Sequence, residues 1–218
     1  MESPSVQTPK RVLFCDFDGT ITADETFVAM LKQFAPELSA KIMPEMYALR
    51  LTLREGVRQL LESIPSARYP EILEFSQGKQ MRKGLVELLD FLDGKGIPFV
   101  VVSGGVRGMV ETVLGSLVER VAEIYAVDLD ISSKYLWVNS AFEGETELVS
   151  KVQIMAQYAA EESVAIGDSV TDLNMAMHAD LVFARDRLAR YLDERQKPYI
   201  PWNDFLDVRD YLANHWQN

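Results

Sequence analysis

The sequence is almost without cysteine: Cys15 is the only one. No intrachain disulfide can form, which excludes a disulfide-stapled scaffold and makes a reducing, cytoplasmic setting the expectation. Cys15 sits in an apolar run, where an inert buried thiol is expected. Histidine is scarce too, and neither His178 nor His215 has ligand spacing or an adjacent carboxylate pattern, so both read as structural. Positive charge is in deficit, with 22 Lys and Arg against 33 Asp and Glu and a net charge of −11. That field repels a nucleic-acid backbone or an anionic membrane, so neither is an expected partner, and an anionic substrate would need locally concentrated positive charge. Long hydrophobic runs are also missing, since none approaches the roughly 20 apolar residues that span a bilayer. The opening MESPSVQTPK has no apolar core and reads as a short disordered tail, not a signal peptide. Internal repeats and low-complexity segments are absent as well.

What the sequence does have is 48% hydrophobic residues over 218 positions, enough for one sizeable core and a smaller second module. Arg11 to Phe17 (RVLFCDF) is a short, nearly continuous apolar run, as expected of a strand covered on both faces. Pro98–Val102, Ser163–Ile166 and Asp180–Ala184 look alike, and segments of helical period separate them. The alternation predicts an α/β fold with a parallel sheet flanked by helices. About 80 residues separate the first strand from Pro98, far more than one crossover helix requires. Most have helical spacing, so an inserted helical module is expected. The predicted division is a core of residues 1–23 and 80–218 and an inserted cap of residues 24–79, broken near Pro36, Pro44, Thr52 and Pro65 to Pro70. A helix from Arg82 to Lys95, another near Met109 to Leu117 and a hairpin around Ser132 and Ser133 complete the reading. The late aromatics Tyr199, Trp202, Phe205, Tyr211 and Trp216 are expected to pack the last helix onto the sheet.

The chemistry gathers at the strand ends. The first strand runs into Asp16-Phe17-Asp18-Gly19-Thr20, two carboxylates at spacing two at the carboxyl edge, where open α/β sheets bind ligands. Another strand ends in Ser103-Gly104-Gly105 before a helix, which offers a hydroxyl and backbone N–H groups as a phosphate cradle. A further strand is followed by Gly167-Asp168-Ser169-Val170-Thr171-Asp172. Four carboxylates at one mouth repel one another unless a cation joins them or their protonation shifts. The donors are all oxygens, which favours Mg²⁺ over Zn²⁺. Lys151, starting the run KVQIMAQYAA, can bring the positive charge an anionic substrate requires.

Asp16-Phe17-Asp18-Gly19-Thr20, Ser103, Lys151 and Gly167-Asp168 to Asp172 stand in the order of the four motifs of the haloacid dehalogenase superfamily, which the chain resembles over most of its length. The resemblance implies a Rossmannoid core and a phosphatase with Asp16 as nucleophile and Asp18 as general acid and base. It also implies phosphoryl contacts from Thr20, Ser103, Gly104 and Lys151, and a Mg²⁺ site drawn from Asp16, Asp18, Asp168 and Asp172. Asp18 would contribute its backbone carbonyl and Asp172 a supporting role.

The insertion after Asp18 resembles the helical cap of the phosphoserine-phosphatase-like branch. Within that branch DFDGTIT, FAP, LREGV, GDSVTD and FARD are similar to the phosphatases of methionine salvage. The implied partner is a small phosphorylated metabolite, 2-hydroxy-3-keto-5-methylthiopentenyl-1-phosphate, handled by a monomer or homodimer. Phosphoserine, phosphoethanolamine and phosphocholine are the alternatives, with Glu25, Arg50 and Arg54 as candidate specificity residues. A phosphomutase and a non-catalytic phosphate sensor are the remaining readings.

Overall fold

A computed structural model describes residues 10–217. All of the expected polar tail except Lys10 lies outside the described residues. Seven strands, β1 (Arg11–Cys15), β2 (Phe99–Val106), β3 (Glu123–Asp130), β4 (Trp137–Asn139), β5 (Glu162–Gly167), β6 (Leu181–Ala184) and β7 (Ile200–Pro201), form one sheet in the order β4-β3-β2-β1-β5-β6-β7. All neighbours are parallel except β3 and β4, the hairpin expected around Ser132 and Ser133. The pleat sends Val12 and Phe14 of β1 into one core cluster and Leu13 and Cys15 into another, which explains its unbroken apolar run. Each such buried side chain is worth about 1.5–3 kcal/mol. Because β1 lies between β2 and β5, the strand order reverses there, and the carboxyl end of β1 is where open α/β sheets bind ligands.

Five helices follow β1 before the chain re-enters the sheet, and the first four are α1 (Thr26–Phe34), α2 (Pro36–Tyr47), α3 (Leu53–Glu62) and α4 (Tyr69–Ser76). Pro36 opens α2, and Thr52 caps α3 through a reciprocal box with Glu55, as the breaker and cap signals predict. Pro44 is a correction, since it lies inside α2 and ends nothing. It is on the exposed face, where water can satisfy the freed carbonyl, while Met43 and Met46 keep the flanking turns docked. The buried residues of these four helices, among them Met30, Leu31, Leu60 and Leu61, belong to the same cluster as Val12 and Phe14.

The α3 helix also meets the edge of the sheet. Arg58 Nη1 donates to Val138 O at 3.1 Å, and Glu62 Oε1 accepts from Val138 N–H at 3.3 Å. The chain beyond α3 continues the contact, with Leu136 N–H donating to Ile64 O and Ser66 N–H to Lys134 O, each at 3.0 Å.

The remaining helices are α5 (Leu85–Asp93), α6 (Arg107–Leu114), α7 (Lys151–Met155), α8 (Leu173–His178), α9 (Asp186–Glu194) and α10 (Phe205–His215). Only the first half of the run expected to be helical after Lys151 is helix. Trp202, Phe205 and Trp216 are buried with α5 against the sheet, and Tyr211 meets Phe183 edge to face. Tyr199 departs from that expectation, because it packs against the opposite core cluster. Both histidines have local partners: His178 Nδ1 is 2.8 Å from Asn174 O, and His215 is 3.3 Å from Glu162. Among the described residues no helix is long and apolar enough to cross a membrane.

Candidate active site

Where β1 ends, Asp16 keeps an extended backbone, and its N–H donates to Ile166 O at 2.9 Å. The next residues, Phe17–Ile21, coil into a tight turn interrupted at Asp18 and Gly19. Gly19 has φ +87°, and a Cβ on it would lie 2.5 Å from Asp168 Oδ2, so conformation and space both require glycine. Thr22 closes the turn by accepting the Gly19 N–H at 3.1 Å.

Lys151 stands at the first position of α7, and its buried ammonium lies 2.6 Å from both Asp16 Oδ1 and Asp172 Oδ1. The other Asp172 oxygen accepts the N–H groups of Asp168 and Ser169, each at 3.0 Å, so both its oxygens are held by protein donors. Asp16 Oδ2 differs, being buried without a hydrogen-bond partner. Asp168 receives one long contact, 3.4 Å from the Thr20 hydroxyl, which therefore faces Asp168. Asp16, Asp168 and Asp172 each bring an oxygen within 4.8 Å of the others. An orphaned carboxylate oxygen, an all-oxygen donor set and a glycine cradle fit a hard divalent cation.

Asp18 points elsewhere. Its carboxylate accepts the N–H of Thr26 at 2.5 Å and of Phe27 at 3.1 Å, the free donors at the start of α1. Ser103 ends the regular part of β2, at a register shift, and its Oγ accepts the Gly105 N–H at 3.0 Å, leaving the hydroxyl proton for another acceptor. Gly104 beside it is exposed.

Burial is the largest influence on Asp16, Asp18 and Asp168. Burial, with the neighbouring Asp172, pushes Asp16 up against the pull of Lys151. Burial and Asp172 likewise raise Asp168 to about 7. Burial raises Asp18 to about 7 although the Phe27 N–H opposes it. For Lys151, burial lowers the ammonium but Asp16 and Asp172 more than offset it, so it stays charged.

The three candidate specificity residues lie outside this cluster. Glu25, just before α1, is paired with Arg187 of α9. Arg50 pairs with Glu45 at 2.7 Å on the exposed surface. Arg54 reaches the segment ahead of Lys151, 3.7 Å from Glu143 and 3.4 Å from Gly144 O, and its own N–H donates to Thr146 O. Sequence reasoning missed Arg82, which contacts the carbonyls of Gly19 and Thr20; a lone arginine ahead of a helix gives no local signal. It also missed the α1 donors to Asp18, which the helix start at Thr26 could have indicated.

The family model of haloacid dehalogenase-like hydrolases matches residues 13–177. The 2-hydroxy-3-keto-5-methylthiopentenyl-1-phosphate phosphatase of Microcystis aeruginosa (strain NIES-843 / IAM M-2473) is 58% identical over 204 residues, covering 93% of this chain and 97% of that protein. The enzyme of the same name from Geobacillus thermodenitrificans (strain NG80-2) is 36% identical, covering 92% and 94%. Among solved structures, a phosphoserine phosphatase from T. onnurineus in complex with NDSB-201 superposes with a TM-score of 0.72 at 18% identity, covering 98% of this chain and 99% of that one. A phospho-aspartyl intermediate analogue of phosphoserine phosphatase gives 0.67 at 23% identity, covering 94% and 99%; at such identities the likeness concerns the fold. The chain belongs to the haloacid dehalogenase-like hydrolases and, within them, to the family of the 2-hydroxy-3-keto-5-methylthiopentenyl-1-phosphate phosphatases, so it is a phosphoric monoester hydrolase.

Proposed function

We propose that the protein hydrolyses 2-hydroxy-3-keto-5-methylthiopentenyl-1-phosphate in methionine salvage, in the cytoplasm, through an aspartyl-phosphate on Asp16 and with Mg²⁺ as cofactor. The substrate is the one in the names of relatives that match this chain almost end to end. The observation that carries the mechanism is the asymmetry of Asp16: Lys151 holds one oxygen, while the other is buried and has no partner. A carboxylate fixed in this way can attack phosphorus without a base to activate it.

In the first step a carboxylate oxygen of Asp16 bonds to phosphorus as the ester P–O bond breaks, and the leaving oxygen takes a proton from Asp18. Asp18 suits this role because burial keeps its carboxyl protonated to about pH 7, and the first turn of α1 fixes its direction. In the second step ionised Asp18 takes a proton from water, the water oxygen bonds to phosphorus, and the bond between the Asp16 oxygen and phosphorus breaks. Lys151, the Ser103 hydroxyl and the Gly104 backbone stand against the charge of the transferred group. Asp16 and Asp168 would hold Mg²⁺, with the Asp18 carbonyl contributing and Asp172 fixing the loop and Lys151; when bound, the ion would supply hard positive charge to offset that of the phosphoryl group. Thr20 acts through Asp168, which its hydroxyl faces. In this reading residues 24–79 are a cap over a core of residues 1–23 and 80–218, and α1 delivers the cap to Asp18. An amine-bearing ester is the second reading, because Glu25 directly precedes the Asp18 donors, but such a substrate would have to displace Arg187.

The test is phosphate release with and without Mg²⁺ from the salvage ester, phosphoserine, phosphoethanolamine, phosphocholine and an aryl phosphate, together with acid-quench trapping of phosphoprotein. Preference for the salvage ester, dependence on the metal and loss of trapped phosphate in Asp16→Asn are expected. A preference for an amine-bearing ester would overturn the substrate, and an Asp16→Asn variant as active as the parent would overturn the nucleophile.

A further inference from the structure

Arg82 lies where the chain returns from the helical insertion, beside the strand of chain that leaves for it. Thr22 and Met81 form an isolated antiparallel bridge, Ala23 N–H donates to Gln80 O at 3.1 Å, and Arg82 N–H donates to Ile21 O at 2.7 Å. Its guanidinium then turns onto the segment that follows the nucleophile. Nη2 donates to Gly19 O at 2.8 Å and Nε to Thr20 O at 3.0 Å, so two consecutive carbonyls of the turn are held by one rigid fork. The fork is itself held: its central carbon lies 5.4 Å from the Trp202 ring centroid, as does that of Arg185, and Arg185 donates to Asn203 O at 2.9 Å.

From this geometry we infer that Arg82 is a positioning residue for phosphoryl transfer, setting the Asp16–Thr20 turn through the carbonyls of Gly19 and Thr20. The inference rests on the phosphatase reading. Rotation of the peptide between Gly19 and Thr20 moves Asp18 on one side and the Thr20 hydroxyl on the other, and hence the approach to Asp168. Gly19 has no side chain to resist that rotation. The fork supplies the missing restraint from a residue far along the chain. Since Arg82 also pairs through its own backbone with Ile21, it stands at the two crossings between sheet and insertion, so a shift of the insertion reaches the turn directly.

The experiment compares wild type, Arg82→Lys and Arg82→Met by steady-state kinetics on the salvage ester and by the rise in melting temperature that Mg²⁺ produces. Arg82→Met is expected to lose roughly 10²-fold in kcat, the scale of a small misplacement of reacting groups, with KM within about 3-fold of wild type. It is also expected to show a smaller Mg²⁺-induced rise in melting temperature. Arg82→Lys, which can reach one carbonyl at a time, falls between the two in both readouts. A kcat within about 2-fold of wild type in Arg82→Met, together with an unchanged Mg²⁺ effect, would overturn the inference. So would a rise in KM alone, or equal losses in both variants that follow a common drop in melting temperature. If wild type releases no phosphate from any ester the phosphatase reading fails, and the Mg²⁺ comparison still decides whether Arg82 orders the turn.

Discussion

Lys151 and Asp172 meet at 2.6 Å in a pocket that leaves their side chains 2% and 0% exposed. Removing one partner of such a pair leaves a buried charge uncompensated, at a cost of about 3–5 kcal/mol. Lys151→Met should therefore unfold at clearly lower urea than wild type, and a double-mutant cycle with Asp172→Asn should recover a large part of the loss. Equal, additive losses would show that the pair is not coupled. Phosphate release by Lys151→Met should fall by roughly 10³-fold, the scale of losing a member of a catalytic unit.

Gly19→Ala tests the close approach of the turn to Asp168. A methyl group would sit 2.5 Å from a carboxylate oxygen at a positive φ, so the turn must shift. We expect a stability loss of about 1–3 kcal/mol and a kcat lowered roughly 10²-fold. A variant matching wild type in both, by urea unfolding and steady-state assay, would mean that the turn has slack.

Mg²⁺ should stabilise the protein by mass action, by about 2.7 kcal/mol at a concentration 100 times its Kd. Asp168→Asn removes a carboxylate charge while keeping the side-chain size, and should abolish most of that gain. Thermal scans with and without Mg²⁺ read the difference directly, and an unaltered gain in Asp168→Asn would place the ion elsewhere.

Asp180 predicts a pH effect remote from the site. The backbone N–H and the hydroxyl of Ser163, both at 2.7 Å, hold its carboxyl below the usual range. A lowered folded pKa contributes stability above the unfolded value, and that stability is lost as the pH falls through the folded one. The difference in urea midpoint between wild type and Asp180→Ala should thus be full at pH 6 and shrink toward pH 3. A constant difference would mean that the side chain acts by packing.

Strand ends were readable because burial on both faces leaves an unbroken apolar run, as in β1 and β2, and because the polar residues that follow have few places to go. The carboxylates Asp16, Asp168 and Asp172 were legible for that reason. Pro44 misled because a proline on an exposed helix face resembles a break locally, while the contacts of Met43 and Met46 that retain it are tertiary. Tyr199 misled because proximity in sequence to Trp202 does not tell which face of the sheet receives it. Glu25 and Arg187 are 162 residues apart, and no local pattern announces such a pair.

The contact of Arg58 and Glu62 with the Val138 peptide concerns more than the stability of α3. A border strand carries a row of unmet donors and acceptors, an open template for another polypeptide. Here a guanidinium and a carboxylate satisfy the C=O and N–H of one residue of that row from the side, as a further strand would, without offering a row of their own. The α3 helix thus leaves one donor and one acceptor of the border strand already satisfied. A movement that lifted α3 away from β4 would free that donor and acceptor to pair with another strand.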